Sequence, residues 1–178
     1  MKFEHLISAT LCDFQLLLEQ FNLPIAVGSI NDNDFILLQR GYGELNWDYI
    51  ITCYYSTDSS FDFCLKLKDA TRKGIDAPIG AFLASYKIEA ETLEIYGIEK
   101  FGNSIYLDGK MFLFSMFATF IFMSKIQGQY IKLIDVEKGN EILRSYYKQF
   151  GFVEDGEEDF ILGMDKLQNL IEDSIKGN

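Results

Sequence analysis

The chain has 178 residues, nearly half of them hydrophobic, and a formal net charge of −11. That length suits one domain, taken as residues 1–178, with ample apolar area for a core and none of the composition of a disordered chain. The negative charge repels phosphate backbones and anionic lipid, which argues against nucleic-acid and membrane partners and favours cationic ones.

His5 is the only histidine, so a Ser-His-Asp or Cys-His hydrolase and a histidine-based metal site are not expected. Cys12, Cys53 and Cys64 lie in apolar surroundings without a C-x-x-C pair, which predicts reduced thiols and a cytoplasmic setting. Acid–base chemistry then falls to carboxylates and tyrosines. The opening "MKFEHLISATLC" has an acidic residue beside its lysine and no long apolar stretch before a small-residue cleavage site, so no secretory signal is expected.

The first element is an N-terminal helix over about 5–21, with apolar residues at 6, 7, 11, 14, 17, 18 and 21 and a stop at Pro24. After the polar turn "NDND", the run "FILLQ" reads as a short strand broken by Gly41 and Gly43. "NWDYIITCYY" reads as helix or strand, with helix favoured by the capping Asn46; its aromatic part, 47–55, is a candidate homodimer surface. Alternation from 61 to 68, then "PIGAFLASYKI" and "LEIYGIEKF", joined by short turns, predicts a three-strand antiparallel meander.

The apolar run "MFLFSMFATFIFMS" has 14 residues, short of the ~20 that span a bilayer, and predicts a buried core helix over 111–125 with a stop at Gly128. The strand "YIKLIDV", a helix over 140–150, the hairpin "GFVEDGEEDFILGM" and a C-terminal helix over about 165–175 complete the chain. The acidic run "EDGEED" reads as a solvated hairpin tip. A meander followed by a β-α-β crossover implies a mixed sheet, α/β or α+β, with the crossover right-handed.

In "LEIYGIEKF" the apolar phase runs through Leu93 and Ile95 and slips to Ile98 after Gly97, the mark of a β-bulge. Glu94 and Glu99 on this strand read either as solvated carboxylates or as bases. In "GNEILRSYYKQFGF", Asn140 starts the helix, Gly151 supplies its left-handed end, and Ile142, Leu143, Tyr146, Tyr147 and Phe150 share one face. From the residues alone, both tyrosines are candidates for core packing or for proton donation.

"IKLIDVEKGNEILRSYYKQFGF" resembles the late segment of the GNAT superfamily of acyl-CoA-dependent N-acyltransferases: an apolar strand, a loop with asparagine, and a helix ending in a tyrosine three residues before Gly-Phe. The similarity extends more loosely over residues 34–164. It implies a GNAT-like mixed sheet with helices on both faces, a bulged fourth strand splayed from the fifth, and an N-acetyltransferase. Such an enzyme moves an acetyl group from acetyl-CoA to an amine of a cationic small molecule or protein. Carried onto this chain, it makes Tyr147 the proton donor, Glu94 or Glu99 the base, and the Ile98 N–H the donor to the thioester carbonyl. Asn140, Gly109 and Lys110 become cofactor-side residues.

The chain departs from the family at the Arg/Gln-x-x-Gly-x-Gly/Ala loop that cradles the CoA pyrophosphate. In "SIYLDG", Ser104 replaces the first residue, Leu107 replaces the first glycine, only Gly109 remains, and Asp108 adds a negative charge. Lys100 and Lys110 flank the loop as compensating cations, Lys110 being the one at the helix start. The departure keeps open an alternative, a GNAT-fold protein that binds a partner or another ligand without catalysis.

Overall fold

A computed structural model describes residues 2–53 and 60–176. Tyr54 and Tyr55, the end of the "NWDYIITCYY" run, lie outside the described residues. In chain order the elements are α1 (Lys2–Gln20), β1 (Ile25–Ser29), α2 (Asp32–Gln39), α3 (Trp47–Cys53), β2 (Ser60–Asp69), β3 (Gly80–Lys87) and β4 (Thr92–Lys100). They continue with α4 (Met111–Ile126), β5 (Tyr130–Leu133), α5 (Glu141–Gln149), β6 (Val153–Asp155), β7 (Asp159–Gly163) and α6 (Met164–Lys176).

Among the described residues the strands form one sheet in the order β1-β2-β3-β4-β5-β7-β6. Every neighbouring pair is antiparallel except β4–β5, which is parallel and bridged by the α4 crossover. The meander forms because β2 alternates and short turns join it to β3, which is buried on both faces, and to β4. Phe63, Leu65, Phe82, Tyr86, Leu93 and Ile95 face one side, with α1, α4, α5 and α6, while Ala81, Leu83 and Gly97 face α2 and α3 on the other.

Helix α4 is apolar around its whole girth because it is enclosed: Phe122 stacks on Phe63 with ring centroids 4.3 Å apart, and α1 and α6 cover the outside. Each such buried aromatic contributes roughly 1.5–3 kcal/mol. Among the described residues no helix is long and apolar enough to cross a membrane.

Three expectations are corrected. "FILLQ" is not a strand but part of α2. Asn31 Oδ1 accepts the Asp34 N–H at 3.1 Å and Asp34 Oδ2 accepts the Asn31 N–H at 2.9 Å, a capping box that starts a helix. Residues 25–29, given no element from the sequence, form edge strand β1 against β2. Its outer edge is closed by α1, where Gln15 Oε1 accepts the Val27 N–H at 2.8 Å and Gln15 Nε2 donates to Ile25 O at 3.2 Å. Finally, the left-handed residue ending α4 is Gln127, at φ 59°; Gly128 follows it, where a Cβ would stand 2.4 Å from Met123 Cε and displace the end of that side chain.

One polar cluster fixes α2 to the sheet. Lys66, on the α2 face of β2, lies 2.7 Å from Asp34 and 3.0 Å from Asp76, with the Lys66 and Asp34 side chains only 4% and 6% exposed.

Candidate active site

Strands β4 and β5 pair only from Thr92↔Tyr130 to Ile95↔Leu133, and the last bond runs from Ile134 N–H to Ile95 O at 3.0 Å. β4 continues to Lys100 on the arm of β3, so from Tyr96 onward no described strand flanks its other edge. The strands part at a bulge. The register across β3 passes from Ala84↔Ile95 to Leu83↔Gly97, which makes Tyr96 the extra residue.

The phase slip at Gly97 therefore marks the bulge one residue late. Gly97 itself makes room for α3, because a Cβ there would stand 2.6 Å from the Trp47 ring. Phe101 N–H bonds Ile79 O at 2.8 Å, so strand alternation turns the Gly97 and Glu99 amides toward β3 and the Ile98 amide toward the open edge.

On the α2–α3 face a cavity of about 360 Å³ lies against the bulge. Phe35, Ile50, Ile51 and Leu83 give it apolar walls, Tyr96 and Cys64 line it, and Asp32 and Asp62 stand at its exposed rim. Burial pushes the Cys64 thiol up to about 12. Glu94 points to the same face, where its Oε2 accepts the Tyr96 hydroxyl at 2.7 Å and Lys87 Nζ is 3.6 Å away.

Glu99 is engaged elsewhere. Its carboxylate accepts the N–H groups of Glu44 and Leu45 and, at 2.7 Å, the Trp47 Nε1–H. These donors tie the segment between α2 and α3 to the end of β4. Three donors of the protein itself thus face the carboxylate that the resemblance offers as a base.

Tyr147 lies on the opposite face of the sheet. Its ring packs 5.2 Å from Phe112 on α4 and 6.1 Å from Phe160 on β7. Burial, with a contribution from the charge of the neighbouring Tyr146 phenolate, pushes its hydroxyl up to about 12. No described residue hydrogen-bonds to that hydroxyl. Tyr146 packs edge-on to Phe150 at 5.0 Å, one turn away on its own helix, and edge-on to Phe112 at 5.6 Å.

Asn140 was expected on the cofactor side, but its side chain is committed to capping α5. Its Oδ1 accepts the Leu143 N–H at 3.1 Å and its Nδ2 donates to Glu137 at 3.1 Å.

The loop before α4 fits an anion in part. Leu107, in the place of the family's first glycine, is fully buried and fills the core instead of lining the loop. Lys100 pairs with Asp108 and offsets its charge. Lys110, exposed at the start of α4, makes no side-chain cap bond, so the first-turn amides have no side-chain acceptor there. Gly109 is left-handed at φ +66°, with open space where a Cβ would stand.

Tyr96, Asp32 and Asp62 were missed from the sequence. Tyr96 stands next to the detected phase slip, so the bulge signal, placed one residue earlier, finds it. The two aspartates carry no local signal.

No protein-family model and no curated protein matches the chain. Solved structures do. Spermidine N-acetyltransferase from Vibrio cholerae, in complex with CoA and spermine, is 13% identical over 82% of this chain and 99% of its own, with a TM-score of 0.56. A Vibrio cholerae spermidine/spermine N-acetyltransferase in complex with manganese ions is 12% identical over 82% and 96%, at 0.54. A domain from Methanocaldococcus jannaschii is 16% identical over 78% and 97%, at 0.52. At such identities the likeness is one of architecture, and it agrees with the bulged β4, its parting from β5 and the α5 helix: the chain has the GNAT acetyltransferase fold.

Proposed function

We propose that the protein transfers an acetyl group from acetyl-CoA to the amine of a small cationic acceptor. The observation that carries this reading is the gap in the sheet beyond Ile95, with an acid-rimmed cavity on one face and, on the other, the Tyr147 hydroxyl, which no described residue bonds. A thioester in that gap meets the amine from one side and a proton donor from the other. The CoA and spermine held by the Vibrio cholerae neighbour support the same assignment.

Each residue then has a task. The Ile98 amide donates to the thioester carbonyl and stabilises the developing oxyanion. Glu94, reached directly or through the Tyr96 hydroxyl, takes the proton that leaves the amine. Tyr147, neutral at physiological pH, protonates the departing thiolate. Lys110, Gly109 and the first-turn amides of α4 hold the phosphates. Asn140 acts indirectly, by starting the helix that carries Tyr147. The exposed Tyr49 side of α3 is the proposed homodimer surface, and the protein is proposed to work in the cytoplasm.

Leu107 favours a second reading, a binding protein without catalysis, because its burial removes one glycine from the phosphate cradle. Thermal denaturation with acetyl-CoA separates the two. At a hundredfold excess over Kd, ligand binding adds about 2.7 kcal/mol and raises Tm by several degrees. An unchanged Tm at millimolar acetyl-CoA would leave only the non-catalytic reading.

A further inference from the structure

Ser85, in the middle of β3, is fully buried, and its hydroxyl has no hydrogen-bond partner among the described residues. A position that only packed the core would be better filled by alanine, since an unpaired buried hydroxyl is a cost that native interiors avoid. Its surroundings indicate why the oxygen is there. Asp62 stands directly opposite on β2 and Glu94 directly opposite on β4.

All three side chains share the α2–α3 face, because their strand neighbours Phe61 and Phe63, Ala84 and Tyr86, and Leu93 and Ile95 pack in the core of the other face. A hydroxyl oxygen thus sits between two carboxylates, one strand spacing from each, with side-chain origins ~5 Å apart. Lys87 Nζ lies 3.6 Å from Glu94. Lys132, opposite Glu94 on β5, is held by Asp155 at 3.0 Å and Asp159 at 2.9 Å.

The row adjoins the cavity at both ends. Asp62 lines the cavity, and Tyr96, another lining residue, donates its hydroxyl to Glu94. We propose that Asp62, Ser85 and Glu94 receive the ammonium of the acceptor, and that this acceptor is a small primary amine with a single charge and an apolar body. A primary ammonium has three N–H donors to set against the three acceptors of the row. The body then lies along Phe35, Ile50, Ile51 and Leu83. Those walls offer a further ammonium no partner, and the remaining lining carboxylate, Asp32, stands at the exposed rim, which favours an acceptor whose other end is apolar over a linear polyamine. The consequence for catalysis rests on the acetyl-transfer reading, whereas the binding step is testable without it.

The test is calorimetric binding of 2-phenylethylamine, its neutral counterpart 2-phenylethanol, and spermidine to the protein and to Ser85→Ala. The amine is expected to bind at least about tenfold more tightly than the alcohol. Ser85→Ala is expected to weaken the amine about tenfold or more while its Tm stays level or rises, because the substitution removes an unpaired buried group. Equal affinity of 2-phenylethylamine for the two proteins would overturn the role of Ser85. Tighter binding of spermidine than of 2-phenylethylamine would overturn the apolar-bodied acceptor. Amine binding as expected, with no transfer when acetyl-CoA is added, would uphold the site and reject the acetyl-transfer reading.

Discussion

Tyr147→Phe deletes one oxygen and keeps the ring that packs on Phe112, Phe152 and Phe160. No described residue bonds that oxygen, so the folded protein loses no hydrogen bond and its stability at neutral pH should move by less than about 1 kcal/mol. The catalytic effect should be far larger, because a positioned general acid contributes ~10²–10⁴ in rate. The assay is release of free thiol at saturating acetyl-CoA and amine.

The same residue has a second, independent signature in alkali. Burial raises its hydroxyl to about 12, and an exposed tyrosine titrates near ~10. With the folded value above the unfolded one, the stabilisation is fully present below about pH 10 and is lost as pH rises through about 12; two pH units correspond to roughly 2.7 kcal/mol. Urea midpoints across that window should fall further in the wild-type protein than in Tyr147→Phe. A kcat within threefold of wild type would remove Tyr147 from the mechanism. Parallel pH–stability curves would show that burial does not hold its proton.

Two further outcomes follow from buried groups. Lys66→Ala strands the Asp34 carboxylate in the α2–β2 contact and should cost about 3–5 kcal/mol in urea denaturation; a loss under about 1 kcal/mol would mean that the site hydrates freely. In the native protein a thiol-reactive disulfide should modify the exposed Cys12 and Cys53 quickly and Cys64 slowly, since burial keeps the Cys64 thiolate scarce; three equally fast thiols would contradict that.

What the sequence discloses depends on how local the determining contacts are. Helix α5 is legible because its start and stop signals, Asn140 and Gly151, directly flank it. The meander is legible because alternation runs along the ten residues of β2 and turn signals separate it from the apolar run of β3. Helix α2 has only eight residues, so the apolar run "FILL" outweighs its periodicity, and the deciding signal is the Asn31–Asp34 capping box in "NDND".

The site divides in the same way. Tyr147 and the bulge are local features and fall within one residue of where the sequence puts them. The partners of Glu99 are not legible, because the amides of residues 44 and 45 and the Trp47 indole come from more than fifty positions away. The row Asp62, Ser85, Glu94 exists only once three strands are in register, which no spacing along the chain reveals.

The amide of Gln15 has a consequence beyond the helix that carries it. By bonding the outward N–H of Val27 and the outward carbonyl of Ile25, it supplies what an eighth strand would supply. At the far end of the sheet the exposed edge is only three residues long, and its Glu154 and Asp155 are held in ion pairs with Arg144, Lys148 and Lys132. One edge is thus stoppered by a side chain and the other kept short and charged. Helix α1 is the guard against sheet-to-sheet polymerisation, and a chain stripped of it would present β1 as a template to its neighbours.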